Sequence, residues 1–233
     1  MEKVKRSGIP PKLQRRGISI VITVFNESSS IGELYRSLIN QTILPDEIIV
    51  VDGNSTDDTW NILNKLTPPL RLRGGKGVIF KIFRGKYNRS EGRNIGVAAA
   101  KGEIIAFTDA GCVPETTWLQ NISIPFLNKF PSPKLGEGSG VRYQEGQVVS
   151  GYYKGLPQNI FEKCLVPYVL VMPDRIGSEF LPSTRSMAIK KDLFLKTGGF
   201  DEKLDTSEDF EFANRLKKAG IKYPMFFNKP QNI

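Results

Sequence analysis

Carboxylates stand at three places in this sequence where they could do chemistry. Asp52 opens DGNSTDDT directly after EIIVV, Asp109 follows IIAFT, and Glu208 and Asp209 begin the run EDFEFANRLKK. A carboxylate at the end of an apolar strand can accept a hydrogen bond from a base or ribose edge, and the small residues after Asp52 allow close approach. Asp52 suits an Asx-type turn leading into a helix cap as well. Asp109 could hold a divalent cation or a ribose hydroxyl. A simple turn aspartate is the alternative, and it is the weaker one, because IIAF places Asp109 at the rim of a buried sheet beside Asp52. Arg93, in SEGRNIG near a helix start, could neutralise phosphate together with free backbone N–H groups, or face solvent. Glu208 and Asp209 could carry catalysis, or be the acids that a first helical turn favours, with Thr206 and Asp209 at capping-box spacing.

Histidine is absent. That excludes Ser-His-Asp and Cys-His catalysis and every histidine metal site within this chain, so a general base must be Asp, Glu, Lys, Tyr or Cys. Cys112 and Cys164 fit no zinc spacing and allow at most one disulfide, which suits a reducing compartment. The net charge of +9 is unevenly placed, since residues 71 to 101 hold nine Lys or Arg and only Glu91 as an acid. Such a cluster suits a pyrophosphate, an anionic membrane surface or nucleic acid, or is a solvated basic face.

The scaffold that must position these groups is legible as an alternation. ISIVITVF (18–25) is a β-branched strand, and Ser28 to Ser30 with Glu33 supply a capping-box start for a helix to about Asn40. Pro45 punctuates, EIIVVD (47–52) is a buried strand, and Ser55 with Asp58 caps a helix to about Leu66. After the loop TPPLRLRGGKG (67–77), VIFKIF (78–83) is a third strand, Ser90 begins a helix through Ala100, and EIIAFTDA (103–110) is a fourth strand. A helix from Glu115 to about Phe130 follows. The βαβα rhythm predicts a mostly parallel sheet flanked by helices, with ligands beyond the carboxyl ends of its strands, where Phe25, Asp52 and Asp109 fall.

Past PSPKLGEGSG (131–140) the alternation weakens. Expected there are a strand near Gln147 to Tyr153, an apolar helix around Ile160 to Met172, a strand near Ser186 to Ile189, and a short helix ending at Gly198-Gly199. Last come a helix from Ser207 to Ala219, with Thr206 as N-cap and Gly220 at its end, and a strand in IKYPMFF. At 233 residues, 39% hydrophobic and 24% charged, the chain suits one globular domain. No apolar run approaches the roughly 18 residues of a membrane helix. MEKVKRSGIPPKLQRRG lacks the apolar segment of a signal peptide, so a soluble, cytoplasmic protein is expected.

Together SIVITVFNE, EIIVVDGNSTDDT, GRNIGVAAAKGEIIAFTDAGC and GGFDEKLDTSEDFEFANRLKKAG, in this order over about residues 18 to 223, resemble the inverting family 2 glycosyltransferases of the GT-A fold. The resemblance implies an α/β, Rossmann-like GT-A domain over 18–233 behind a basic extension (1–17), with a nucleotide-sugar-binding half (18–114) and an acceptor and catalytic-base half (115–233). It implies transfer of a sugar from a nucleotide-sugar donor, UDP- or GDP-linked, to a hydroxyl of a glycan, polysaccharide or lipid-linked acceptor. Phe25 and Asp52 would hold the base, with Asn26 and Glu27 shaping the first loop and Arg93 near the base or phosphates. Asp109 would be the first aspartate of the DxD element, Asp209 the general base of the ED motif, and Glu208 its orienting neighbour. LPSTRSMAIKK (181–191) resembles the strand beside the acceptor site, making Ser183, Thr184 and Arg185 acceptor contacts.

DxD here reads Asp109-Ala110-Gly111, without the second carboxylate. A bound Mg²⁺ or Mn²⁺ would rest on Asp109, diphosphate oxygens and water. A peripheral contact with the inner face of an anionic membrane fits the basic charge, and nucleic acid is not among the implied partners. The rival readings are a catalytically degenerate nucleotide-sugar-binding protein, favoured by Gly111, and a sugar-phosphate nucleotidyltransferase. The latter would show a Gly-rich basic N-terminal loop where VFNESSS stands.

Overall fold

The computed structural model describes residues 17–66, 70–71, 77–126, 147–152, 181–221 and 225–226, with isolated positions between 155 and 164. Expected features on other residues, chiefly the 160–172 helix beyond Cys164 and the end of the 115–130 helix, lie outside the described residues.

β1 (Ile18–Val24) and β2 (Glu47–Asp52) are buried along nearly their whole length, as strands covered on both faces must be. Between them, α1 (Ile31–Ile39) turns Ile31, Leu34, Tyr35 and Leu38 inward at helical spacing. α2 (Thr59–Leu66), β3 (Leu70–Arg71), β4 (Gly77–Arg84), α3 (Arg89–Ala99) and β5 (Ile104–Phe107) complete the first half. The second half adds α4 (Trp118–Ser123), running into a single 3₁₀ turn (Ile124–Phe126), then β6 (Val148–Gly151), β7 (Met187–Lys190), α5 (Lys191–Lys196), α6 (Glu208–Lys218) and β8 (Met225–Phe226).

The eight described strands form one sheet in the order β3-β4-β2-β1-β5-β7-β6-β8. β4, β2, β1 and β5 are parallel neighbours, whereas β3 and β7 run against theirs. Val24 pairs with Asp52 and Asp52 with Arg84, while Val21 pairs with Phe107, so Phe25, Asp52 and Asp109 reach the same carboxyl edge, as expected. The reversed β7 has a consequence for the site. Its first residue, Met187, pairs with Phe107 at the end of β5, so the segment before it, 181–186, is delivered to that same edge.

Alternation along β1 divides the core between the two faces of the sheet. Ile18, Ile20, Ile22 and Val24 join one cluster with α1 and α4, and Val21 joins the other with Val97, Phe107, Phe194, Phe200 and Phe212. Each such side chain contributes about 1.5–3 kcal/mol on burial. α3 lies unusually close to β1 because Gly92 and Gly96 face it. A Cβ on Gly96 would stand 2.4 Å from Val21 Cγ1, and one on Gly92 would stand 2.8 Å from Thr23 Cγ2.

The helix starts differ from expectation. Ser30 is the N-cap of α1 without a side-chain cap bond, because its hydroxyl turns back to Glu27. α2 begins at Thr59, later than a Ser55 cap implied, since Ser55 is bonded to Asp52 and Asp57 accepts from the Thr59 N–H and hydroxyl. α3 is capped by Asn88, which forms a capping box with Glu91. α6 follows Ser207, not Thr206, and Ser207 holds a left-handed φ of 61° with no side-chain cap bond. The fourth strand ends at Phe107, which leaves Asp109 in the turn beyond it.

Candidate active site

Arg93 is the hub. It lies one turn into α3, and the close seating of Gly92 and Gly96 on β1 holds its side chain at 5% exposure. Its Nη2 donates to Asp109 Oδ1 at 3.1 Å, its Nη1 donates to Glu208 Oε1, and the guanidinium lies over the Phe200 ring, 5.6 Å from the centroid. Glu208 is equally buried, at 5% for its side chain, while Asp109 is 34% exposed. A buried carboxylate or guanidinium is tolerated only when paired, and here each supplies the other's partner. Arg93 was expected near base or phosphates; within the protein its charge is matched by two carboxylates.

The loop that brings Glu208 to Arg93 is stapled to α3. Asn94 donates to Phe200 O at 2.9 Å and accepts from Phe200 N–H at 2.9 Å. Asn88 donates to Glu202 O at 2.8 Å and Ser90 to Leu204 O at 3.0 Å. The left-handed Gly198 and Gly199 turn the chain between α5 and this loop, and a Cβ on Gly199 would meet Asn94 Oδ1 at 2.6 Å.

Beside this pair, the Asp209 carboxylate is half-buried and held from both sides. Ser183 Oγ donates to its Oδ2 at 2.9 Å, and the Phe210 N–H donates to its Oδ1 at 2.8 Å. Arg185 Nε lies 4.0 Å from Asp109 Oδ2. Arg93, Asp109, Ser183, Thr184, Arg185, Glu208 and Asp209 thus line one open cleft of about 330 Å³. Thr184 is buried, at 2% exposure, so its contribution there is to shape the wall. Arg89 and Phe210 line the cleft too, and sequence reasoning missed both. Arg89 precedes Arg93 by one helical turn, a spacing that could have flagged it; Phe210, next to Asp209, is exposed.

Phe25, Asn26, Glu27 and Asp52 gather at a separate corner of the same sheet edge, outside that cleft. Phe25 is 57% exposed, whereas Asp52 is fully buried. Asp52 Oδ1 accepts from the Ser55 N–H at 2.9 Å, the Asx-type turn, and Oδ2 lies 3.3 Å from Arg84 Nε without forming a hydrogen bond, a buried acceptor left unsatisfied. Asn26, in a left-handed conformation, accepts from Thr56 N–H at 2.8 Å and donates its own N–H to Ser55 Oγ at 2.9 Å. Glu27 N–H donates to Thr59 Oγ1 at 2.8 Å. These bonds tie the β1–α1 loop to the β2–α2 loop, as does Asp57, whose carboxyl is held well below the usual range by hydrogen bonds from Thr59 and Ser28. Gly53 keeps the corner tight: a Cβ there would meet Tyr87 O at 2.9 Å.

The basic stretch is partly consumed internally, with Lys81 on Glu47, Arg84 beside Asp52 and Arg93 on Asp109 and Glu208. For a cation the donor set is poor. Both oxygens of Asp109 face guanidinium groups, and no cluster of three or more His, Cys, Asp or Glu side chains is placed to hold a metal among the described residues. Cys112, near Asp109, does not remedy this, because burial and then the Asp109 charge push its thiol up, away from the thiolate a metal needs.

Comparison with known proteins agrees with this architecture. The glycosyl transferase family 2 model matches residues 19–129, and the glycosyltransferase-like family 2 model matches residues 147–233. The UDP-Glc:alpha-D-GlcNAc-diphosphoundecaprenol beta-1,3-glucosyltransferase WfaP of Escherichia coli is 34% identical over 168 residues, covering 69% of this chain and 61% of WfaP. Among solved structures, S. aureus TarS superposes with a TM-score of 0.65 at 19% identity over 91% of this chain and 35% of its own. The mannosyltransferase PcManGT from Pyrobaculum calidifontis, in complex with GDP-Man and Mn²⁺, gives 0.62 at 19% identity over 91% of this chain and 55% of its own. The chain therefore spans less than two thirds of each of these relatives. No described helix is long and apolar enough to cross a membrane. With each half matched by a family 2 model and the whole sheet laid out as a GT-A fold, the chain belongs to the family 2 glycosyltransferases.

Proposed function

We propose that this chain transfers a sugar from a nucleotide-sugar donor to an acceptor hydroxyl in a single inverting displacement, with Asp209 as general base. The observation that carries this reading is the Asp209 carboxylate, held by Ser183 in the cleft that Asp109 also lines. With no histidine in the chain, Asp209 removes the proton from the acceptor hydroxyl as its oxygen attacks the anomeric carbon. The bond from that carbon to the diphosphate oxygen breaks on the opposite face, and the nucleoside diphosphate leaves with the added charge. Glu208 acts through Arg93, which fixes the first turn of α6 and with it Asp209. Phe25 and Asp52 receive the nucleotide base, Asn26 and Glu27 hold that loop, and Asp109 takes the ribose side of the donor.

WfaP, by its name, acts on a diphosphoundecaprenol-linked sugar. A hydroxyl of a glycan, free or lipid-linked, is accordingly the acceptor class proposed, approached past Ser183 and Arg185, with the basic surface near an anionic membrane. No step is routed through a divalent cation. A panel of UDP-, GDP- and dTDP-sugars screened for thermal stabilisation tests the donor, because ligand bound only by the folded state raises its melting temperature. Stabilisation by none of them would remove the reading. Gly111 favours a second one, a nucleotide-sugar-binding protein without turnover, which donor stabilisation with no transfer to any acceptor would select.

A further inference from the structure

We propose that Phe210 is the platform on which the acceptor stacks, so that the hydroxyl taken by Asp209 belongs to a pyranose lying with one C–H face on the phenyl ring. The inference deepens the transfer reading above and rests on it. Exposure of one aromatic residue carries little by itself, because isolated apolar side chains are common on protein surfaces. Place is what distinguishes Phe210. It is 60% exposed, follows Asp209 directly, and lines the cleft together with Asp209, Ser183 and Arg89.

The helix sets its direction. α6 buries Glu208, Phe212, Ala213 and Leu216. At about 100° per residue, Phe210 points about 200° away from Phe212, so its ring takes no part in the core that Phe212 forms with Phe194 and Phe200. Arg93 covers the Phe200 ring and Arg215 the Phe212 ring, but among the described residues no ring or guanidinium stacks on Phe210.

The surroundings define what the ring can receive. Asp209 Oδ1 accepts from the Phe210 N–H at 2.8 Å, and consecutive Cα atoms stand about 3.8 Å apart, so a hydroxyl that reaches this carboxylate brings its carbon skeleton beside the phenyl ring. The Ser183 hydroxyl and the exposed Arg89 add polar groups around the same space. A matching ligand carries hydroxyls on its rim and C–H bonds on its face, which describes a pyranose with equatorial substituents. Its C–H bonds, slightly positive, meet the negative face of the aromatic ring. A hydrocarbon chain would satisfy the ring alone and leave the polar rim unmatched.

The test is saturation-transfer NMR with methyl β-glucoside, methyl β-galactoside and methyl N-acetyl-β-glucosaminide, irradiating aromatic protons of the protein filled with whichever of UDP, GDP and dTDP binds it. The expected result is transfer concentrated on the C–H protons of one ring face for at least one glycoside. Phe210→Ala should weaken that glycoside about 5- to 30-fold, the range for an aromatic contact together with the apolar area it covers, and should leave melting temperature and nucleotide affinity unchanged. Phe210→Trp should keep the binding and Phe210→Leu should not, which separates stacking from simple apolar contact. Unchanged glycoside affinity in Phe210→Ala overturns the inference. So does transfer to the alkyl chain but not the ring of octyl β-glucoside, which would mean a lipid contact, or an equal loss of nucleotide-sugar affinity, which would put the ring on the donor side. Binding of a nucleoside diphosphate without binding of any glycoside also overturns it and leaves the donor reading standing. Binding of no nucleoside diphosphate removes the donor reading itself, and this inference with it.

Discussion

Ser183 Oγ donates to Asp209 Oδ2 across 2.9 Å, joining the segment before β7 to the first turn of α6. The bond leaves the carboxylate aimed and in reach of the cleft, which is what a general base needs. Asp209→Asn should therefore keep the fold and donor affinity while lowering turnover by about 10² to 10⁴. Steady-state transfer, donor titration and melting temperature measured together check this; near-normal turnover would take Asp209 out of the mechanism. A purely local structural role predicts near-normal turnover, because the single amide oxygen of asparagine still accepts from the Phe210 N–H and its NH₂ can donate to Ser183 Oγ.

Ser183→Ala should give a milder loss in turnover, from a base less well oriented, with donor affinity preserved. Removing one hydrogen bond to a carboxylate costs about 1.5–3 kcal/mol, still less than the loss expected at Asp209 itself. An equal loss of donor affinity would place Ser183 on the donor side instead.

Glu208 and Arg93 are both buried and bonded to each other, so removing either leaves a charge stranded. Arg93→Met and Glu208→Leu should each cost about 3–5 kcal/mol of stability, and the double substitution should cost less than their sum. Denaturant unfolding of the four proteins measures this. Glu208→Gln keeps hydrogen-bonding capacity and should fall between. Additive losses would mean that the two side chains act independently.

Gly96→Ala should destabilise by about 1–3 kcal/mol through overpacking, since the added methyl would stand 2.4 Å from Val21 Cγ1. Because α3 carries Arg93, the displaced helix should lower turnover as well. Gly111→Ala, with open space around it, is the matched control and should leave stability unchanged.

Glu47 supplies a pH test. Burial, the largest single influence, pushes its carboxyl up, but hydrogen bonds from Lys101 N–H, Lys81 and Ser19, with the Lys81 charge, hold it below its ordinary value. A carboxyl depressed in the folded state adds stability that is fully present above the unfolded value, about 4.3, and is lost as pH falls through the folded one. Glu47→Gln should thus lower the melting temperature at neutral pH, and the gap to the parent should close below about pH 4. A gap independent of pH would show that the charge contributes nothing.

Much of the molecule was legible from local signals. The apolar runs of β1, β2 and β5 and the helical spacing of α1 are properties of neighbouring residues, and parallel pairing then obliges Asp52 and Asp109 to share an edge. Cap identities were harder to read, because Ser30, Ser55 and Thr206 have residue types that suit several local bonds, and only the packed loops decided which formed. Asn88 was passed over for Ser90, although the Asn88 to Glu91 spacing was present in the sequence.

The site itself divides along the same line. Its carboxylates, the absence of histidine and the glycine at position 111, two residues after Asp109, are matters of residue type, which the sequence alone determines. Partners are not. Arg93 and Glu208 are 115 positions apart, and nothing local marks them as a pair; they meet because two glycines let α3 settle on β1 and Asn94 staples the 199–205 loop to it. Arg185 reaches Asp109 only because β7 enters the sheet reversed, beside β5. Charges far apart in the chain acquire their function from the few ångströms between them, and that distance is set by packing.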